Sequence, residues 1–258
     1  MLKRHPHWFI VLSFFLILLP VAYLLLMPDL SKLKKENPKR TALMQYRVTI
    51  SKAKGKTYRI DQSWAPFSKI SPYLIKAVLI AEDDKFWTHE GFDYEAIQKA
   101  IEKDLKAKKL KSGGSTITQQ LARNLFLTPE KSLIRKISEA VITWRMEKVL
   151  SKKRILELYL NVAEWGKGIF GAEAASRHYF GKSSSELTPE EATRLAAILP
   201  NPRRYSPVGD QRYVINRSNL IYRIMLQRGI VIPEYKEETE EGGSFPSNPS
   251  DPSQGFKP

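Results

Sequence analysis

From Trp8 to Met27 the chain runs for twenty residues without a charge, WFIVLSFFLILLPVAYLLLM, broken only by Ser13, Pro20 and Tyr23. At about 1.5 Å per residue such a helix is roughly 30 Å long, the thickness of the hydrocarbon core of a bilayer. No other feature limits the fold so strongly. The chain is expected to be a short N-terminal segment (residues 1–7), a single transmembrane helix (8–27) and a body that follows it. A cleaved export signal is the competing reading, because Lys3 and Arg4 make a short basic start. The apolar run is longer than the usual signal core, and MPDLSKLKK offers no small-x-small cleavage site, so an uncleaved anchor is the expectation.

Charge narrows the partner. The 42 Lys and Arg outnumber 27 Asp and Glu, giving a formal net charge of +15, and there is no cysteine. A disulfide scaffold, a thiolate metal site and a cysteine nucleophile are therefore excluded. The positive excess calls for an anionic partner: nucleic acid, an anionic membrane surface or a phosphorylated substrate. Between Pro28 and Ser71 eleven Lys and Arg face three acids, a basic juxtamembrane segment (28–69) if the anchor precedes it. A second concentration, nine basic residues against three acids, lies between Arg123 and Arg154. The stretch 236–258 is Pro, Ser, Gly and Glu with little to bury, and reads as a disordered tail. Orientation is ambiguous from charge alone. Lys3 and Arg4 favour an inside N-terminus, whereas Lys32, Lys34, Lys35, Lys39 and Arg40 argue the reverse.

The body, 70–235, reads as helix after helix. Helical periodicity appears in PYLIKAVLIAEDD, YEAIQKAIEKDLKAKKL, STITQQLARNLFL and the long basic run SLIRKISEAVITWRMEKVLSKKRILELYLNVAEW. Thr188 followed by Pro189 marks a helix start, and Gly229 the end of the last helix. YRVTI at 46–50 and TYRI at 57–60 alternate as strands and suggest a small hairpin around KAKGK.

Three segments carry the chemistry. The apolar helix LIKAVLIA ends in Glu82, Asp83 and Asp84, and acids at a helix C-terminus oppose its dipole, which favours their protonated form. A carboxylate held that way suits a general acid or base; solvated loop acids, with Phe86, Trp87 and His89 as packing residues, fit the spacing equally. In GGSTITQQLARN, glycines precede a helix start with Ser115 and Thr116, an arrangement that offers N–H groups and hydroxyls to an anion. Gln119, Gln120 and Arg123 follow; the GK[ST] ending of a nucleotide-binding loop is missing, and a plain N-cap fits too. In IRKISEAVITWRMEK, Arg135 and Lys136 stand four and three residues before Glu139 on one helical side, with Ile134, Ile137, Val141 and Trp144 on the other. A solvated, salt-bridged helix is the plain account of that pattern.

Taken in this order, the segments resemble the peptidoglycan glycosyltransferases, specifically the monofunctional biosynthetic transglycosylases. The family's ED-x-x-F-x-x-H-x-G-x-D is present as Glu82, Asp83, Phe86, His89, Gly91 and Asp93, its G-x-S-T-x-x-Q-Q as Gly113, Ser115, Thr116, Gln119 and Gln120, and its RK-x-x-E as Arg135, Lys136 and Glu139. ILELYLN (155–161), AA-x-x-x-YFGK (174–182) and EEA-x-x-LAAILPNP (190–202) extend the likeness from about Ile70 through Gln227. One departure is Arg123, where the family usually has Lys; both bring charge to a phosphate, Arg as a bidentate fork.

The resemblance implies an all-α, lysozyme-like domain in two lobes behind the transmembrane helix. It implies polymerisation of lipid II into β-1,4 glycan strands, with inversion and release of undecaprenyl pyrophosphate, in bacterial cell wall synthesis. On that scheme Glu82 and Glu139 are catalytic, Glu82 as the base. Asp83, Phe86, His89, Ser115, Thr116, Gln119, Gln120, Arg123, Asn124, Lys131, Arg135 and Lys136 bind substrate. No cofactor is required; some family members respond to divalent metal (Mg or Mn), which would act at the pyrophosphate, and no dedicated metal-ligand motif stands out. The implied partners are lipid II, the growing lipid-linked glycan, the membrane and other cell-wall synthesis and division proteins, but no nucleic acid. The implied location is the bacterial inner membrane, N-terminus inside and catalytic domain periplasmic. A lysozyme-like hydrolase or lytic transglycosylase would share the fold but need neither the cationic second glutamate nor STITQQ. A tethered nucleic-acid binder should carry a basic motif with stacking aromatics instead of embedded acids, and a catalytically dead scaffold would not keep both glutamates.

Overall fold

The helical periodicity is realised as nine α-helices among the residues that the computed structural model describes, 28–107, 114–130 and 132–231. They are α1 (Ala42–Ala53), α2 (Pro72–Glu82), α3 (Tyr94–Ala107), α4 (Ile117–Phe126), α5 (Leu133–Val149), α6 (Lys152–Val162), α7 (Ala172–Phe180), α8 (Pro189–Ile198) and α9 (Arg212–Gln227). The expected N-terminal segment and anchor, the tail 236–258, Gly113 and Lys131 lie outside the described residues. Among the described residues no helix is long and apolar enough to cross a membrane.

The helix boundaries follow from local chemistry. Thr188 accepts the Glu191 N–H while the Glu191 carboxylate accepts the Thr188 N–H, a reciprocal cap with Pro189 at the first helical position. After α9, Gly229 takes φ +63° and the Ile230 N–H reaches back to the Met225 carbonyl, satisfying the frayed end. The long basic run is two helices instead of one. Ser151 takes extended backbone and its hydroxyl accepts the Arg154 N–H at 3.3 Å, so α6 starts afresh after Leu150.

Two expectations about strands are corrected. Residues 46–50 lie inside α1, where Thr41 caps Met44 N–H at 3.2 Å and Leu43 and Met44 are buried; 57–60 belong to no strand. The β-branched run Val48-Thr49-Ile50 has strand preference, but a capped start and a buried apolar turn outweigh it. Nor is the fold purely α. A three-stranded sheet, in the order β1 (Asp61–Gln62), β3 (Ile169–Phe170), β2 (Glu164–Gly166), joins the chain before α2 to the hairpin after α6. β1 pairs in parallel with β3 in the register Asp61 to Ile169, and β2 pairs antiparallel with β3 through an irregularity at Glu164–Gly166.

A large apolar core runs through the molecule, with Leu43, Met44 and Phe170 as a small second cluster. α2, α8 and α9 pack on one another, and α4 packs on α1, α5 and α6. Leu74 and Val78 of α2, Leu121 of α4, Met146 of α5, Leu156 of α6, Leu195 of α8 and Met225 of α9 belong to the same buried cluster. Leu30, Leu33 and Ala65 join it, and the Arg154 guanidinium donates to the carbonyls of Leu33 and Glu36. The segment 28–69 therefore contributes to the core, and the folded body begins before Ile70. Asn161, fully buried at the end of α6, donates to the carbonyls of Ala65 and Glu157 and accepts the Ala65 N–H at 2.8 Å, tying the pre-α2 segment to α6.

α5 is turned the opposite way from what its apolar stripe suggests. Ser138, Glu139, Ile142, Thr143 and Met146 face inward, whereas Leu133, Ile134, Ile137 and Trp144 are 84, 73, 60 and 55 % exposed. α3 adds exposed Tyr94, Ile101 and Leu105, and Tyr94 and Trp144 line one shared hollow.

Candidate active site

Glu82 is the last residue of α2, and Asp83 behind it turns the chain away with φ −163°. That turn separates two adjacent acids. The Asp83 carboxylate points inward, accepting the Ile117 N–H at the start of α4 (2.9 Å) and pairing with His89 Nε2 (2.8 Å). The Gly91 N–H donates to His89 Nδ1, so in this network Nε2 carries the proton toward Asp83. Gly91 itself has φ +86°, and a Cβ there would lie 2.8 Å from the Thr143 side chain, which requires glycine. Phe86 is fully buried with the Lys152 ammonium 4.6 Å from its ring centre. Thr116 caps α4 reciprocally with Gln119 and donates its hydroxyl to the Gly91 carbonyl at 2.7 Å. Asp83, His89 and Thr116 thus tie the loop after α2 to the start of α4, Gln119 completes the cap and Phe86 packs beside them, and none of the five is among the residues that line the cleft.

The cleft is a cavity of about 300 Å³ whose lining includes Gln120, Arg123 and Asn124 of α4, Arg135 of α5, Tyr159 of α6, Arg47 of α1 and Glu164 of β2. The two glutamates stand one bond behind this lining. Gln120 Nε2 donates to Glu82 Oε2 at 3.0 Å, and the Tyr159 hydroxyl donates to Gln120 Oε1 at 3.2 Å, which fixes the amide so that its NH₂ faces the carboxylate. Arg135 Nη1 donates to Glu139 Oε2 at 2.6 Å, and Lys136 donates to Glu139 Oε1, so the buried Glu139 orients both cations. Ser115 is half-buried just ahead of the cap of α4.

Burial pushes the Glu82 carboxyl above the usual carboxylate range, opposed by the Gln120 N–H and by the Arg217 and Arg123 guanidinium groups. Its Oε1 is buried with no hydrogen-bond donor. Burial likewise lifts the Tyr159 phenol well above its ordinary value, so the hydroxyl stays a donor. A carboxylate with raised proton affinity, behind a cleft that is also lined by Arg135 braced on Glu139, can take a proton at one end while negative charge develops at the other. Among the described residues no three His, Cys, Asp or Glu side chains converge as a metal site.

Sequence reasoning missed Tyr159, Arg47, Glu164 and Arg217. Tyr159 lies in ILELYLN, where a lone tyrosine among leucines signals a buried hydroxyl needing a partner. Arg47 was hidden by the strand reading of 46–50; from α1 it donates through Nε and Nη2 to the buried Glu164, which also accepts the Tyr58 hydroxyl.

Known sequences bear on the same residues. The profile of the Transglycosylase family matches residues 49–226. The biosynthetic peptidoglycan transglycosylase of Dechloromonas aromatica (strain RCB) is 54% identical over 169 residues, 66% of this chain and 73% of that protein. The protein of the same name from Nitrosospira multiformis is 49% identical over 194 residues, 75% of this chain and 84% of its own length. A third, from Janthinobacterium sp. (strain Marseille), is 43% identical over 224 residues, 87% of this chain and 96% of its own.

Proposed function

The chain belongs to the transglycosylase family and is a glycosyltransferase that polymerises the glycan strands of peptidoglycan, and we propose that Glu82 and the Glu139 cation site divide the chemistry between them. Glu82 takes the proton of the acceptor sugar 4-hydroxyl at Oε2, the oxygen bonded to Gln120, which is the cleft residue in front of it. The freed oxygen attacks the donor anomeric carbon, the bond to the lipid pyrophosphate breaks, and configuration inverts from α to β. Arg135, Lys136 and Arg123 stabilise the charge that develops on the leaving undecaprenyl pyrophosphate, with Asn124 and Ser115 as further polar contacts. Because Glu139 holds Arg135 and Lys136 in place beforehand, little reorganisation is needed as that charge appears. The observation that carries this reading is the Tyr159–Gln120–Glu82 chain, which aims one buried carboxylate at the same cleft that Arg135 lines.

The substrate is lipid-linked, and the exposed apolar face suits it. We propose that residues 8–27 anchor the chain with the N-terminus inside, and that the body lies on the outer face of the inner membrane. Two lobes, α2/α8/α9 and α4/α5/α6, would then flank the cleft. Leu133, Ile134, Ile137 and Trp144 of α5 rest against the bilayer, so the lipid tail need not leave it. Reconstituted in liposomes with labelled lipid II, the full chain is expected to produce lysozyme-sensitive polymer and release undecaprenyl pyrophosphate. The double variant Ile134→Glu, Ile137→Glu should polymerise several-fold more slowly there with an unchanged melting temperature, since both side chains are solvent-exposed. An unchanged rate in bilayers would remove α5 from the lipid surface; no polymer from the parent would remove the mechanism.

A further inference from the structure

The last helix reaches the catalytic carboxylate through one side chain. α9 buries Val214, Ser218, Ile221 and Met225, and Arg217 lies on the same seam, one turn from Val214 and from Ile221. The Arg217 side chain is 30% exposed, yet its Nε is buried, and a polar atom buried on such a seam is costly unless something there needs it. Its guanidinium spans the C-terminus of α2. Nη2 donates to the Ala81 carbonyl at 3.0 Å and stands 3.6 Å from Glu82 Oε1. The contact to Glu82 is too long for a strong hydrogen bond. Glu82 Oε1 and Arg217 Nε are both buried without a hydrogen-bond partner, so the two groups meet chiefly as opposite charges.

We propose that Arg217 is a positioning residue for the transfer reaction: it anchors the end of α2 through the Ala81 carbonyl and holds the Glu82 carboxylate ionised through Oε1, leaving Oε2 for the acceptor proton. The inference rests on the reading of Glu82 as the base. Its logic is an opposition of effects. Burial favours a protonated Glu82, which could not accept a proton; a nearby cation that does not itself occupy the cleft restores the charged form. A full hydrogen bond from Arg217 to the carboxylate would go too far and suppress its basicity, whereas charge at 3.6 Å favours ionisation more gently.

The other groups facing Glu82 leave this role to Arg217. From α4, Gln120 is neutral and Arg123 lines the cleft, where substrate phosphate competes for its charge. From α6, Tyr159 is a neutral donor to Gln120. Asp83, next in the chain, is engaged by His89 and Ile117 N–H and as an acid only opposes ionisation. The charged side chains of α8 turn elsewhere, Arg194 to the Pro207 and Gly209 carbonyls, Glu191 to Lys182 and Glu190 to the Tyr222 hydroxyl. Beyond them, Arg228 pairs in bidentate fashion with Asp84, at 2.6 and 2.8 Å, on the exposed side of the same turn.

The test is the pH dependence of kcat/KM for lipid II polymerisation by the full chain and three variants. Arg217→Gln keeps a donor for Ala81 but loses the charge; Arg217→Lys keeps the charge. The Gln variant is expected to lose roughly 10-fold on the acid limb of the profile and to recover to within about 2-fold of the parent on its alkaline plateau, as its acid limb moves up. The Lys variant should keep the limb of the parent. Glu82→Gln separates the two claims. If it polymerises normally, the base assignment falls and this role with it. If it is inactive and Arg217→Gln loses the same factor at every pH, Arg217 only braces α2 and the proposal is overturned. A displaced limb in Arg217→Lys equal to that in Arg217→Gln would overturn it too.

Discussion

Replacing Glu82 with glutamine is expected to lower the rate of glycan polymerisation by about 10³-fold while leaving lipid II binding intact, the scale of a lost general base. Glutamine occupies the same volume and can still accept the Gln120 N–H, so the cleft keeps its shape. The same change should stabilise the fold. Burial raises the Glu82 pKa, so the folded state prefers the protonated form, and the stability this gives the parent is present below the ordinary glutamate value and lost as pH rises through the raised one. The glutamine variant should therefore melt a few degrees above the parent at alkaline pH, and the gap should close as pH falls from the raised value to the ordinary glutamate range. Lower melting at alkaline pH would mean that Glu82 is a structural carboxylate instead of a destabilised, functional one.

Glu139→Gln should be nearly as damaging for a different reason. The Glu139 side chain is 1% exposed, Arg135 16% and Lys136 49%. Removing one partner of a buried ion pair costs about 3–5 kcal/mol. Half-exposed Lys136 contributes little of that, and Arg135 can turn toward the cleft, so about 2 kcal/mol is expected, or roughly 4–8 °C in a domain of this size. Catalysis should fall further, about 10²-fold in kcat, because two cations would have to be gathered around the pyrophosphate during the reaction. Melting temperature and kcat measured together separate the roles: lower stability with unchanged kcat would confine Glu139 to structure.

How far the sequence could be read depends on what each pattern needed from the rest of the fold. That Glu82, Asp83 and Asp84 sit unfavourably was legible because acids at the end of an apolar helix oppose its dipole, but solvated loop acids fit as well, and the family motif alone singled out Glu82 as the base. Glu139 was legible because residues three and four apart must share a helical face, as Arg135 and Lys136 do with it. The spacing of Asp83 and His89, however, fits a substrate contact as well as an internal brace, and the bond between them and to the Ile117 N–H needed the backbone turn at Asp83 to be seen. The apolar stripe of α5 shows another limit. Periodicity at Ile134, Ile137 and Trp144 says that one face avoids water, not whether protein or lipid covers it, and the protein leaves that face bare. The same ambiguity of period cost the strand at 46–50, where three β-branched residues outvoted the cap at Thr41. Arg217 escaped the sequence reading, because its meaning required knowing that α9 packs beside the end of α2.

The account turns on one buried carboxylate accepting the acceptor proton, and the pH dependence of kcat/KM in the parent protein tests that most directly. It predicts a single-proton acid limb lying above the ordinary glutamate range, as burial of Glu82 requires. Activity that stays flat as pH falls through the ordinary glutamate range would contradict it.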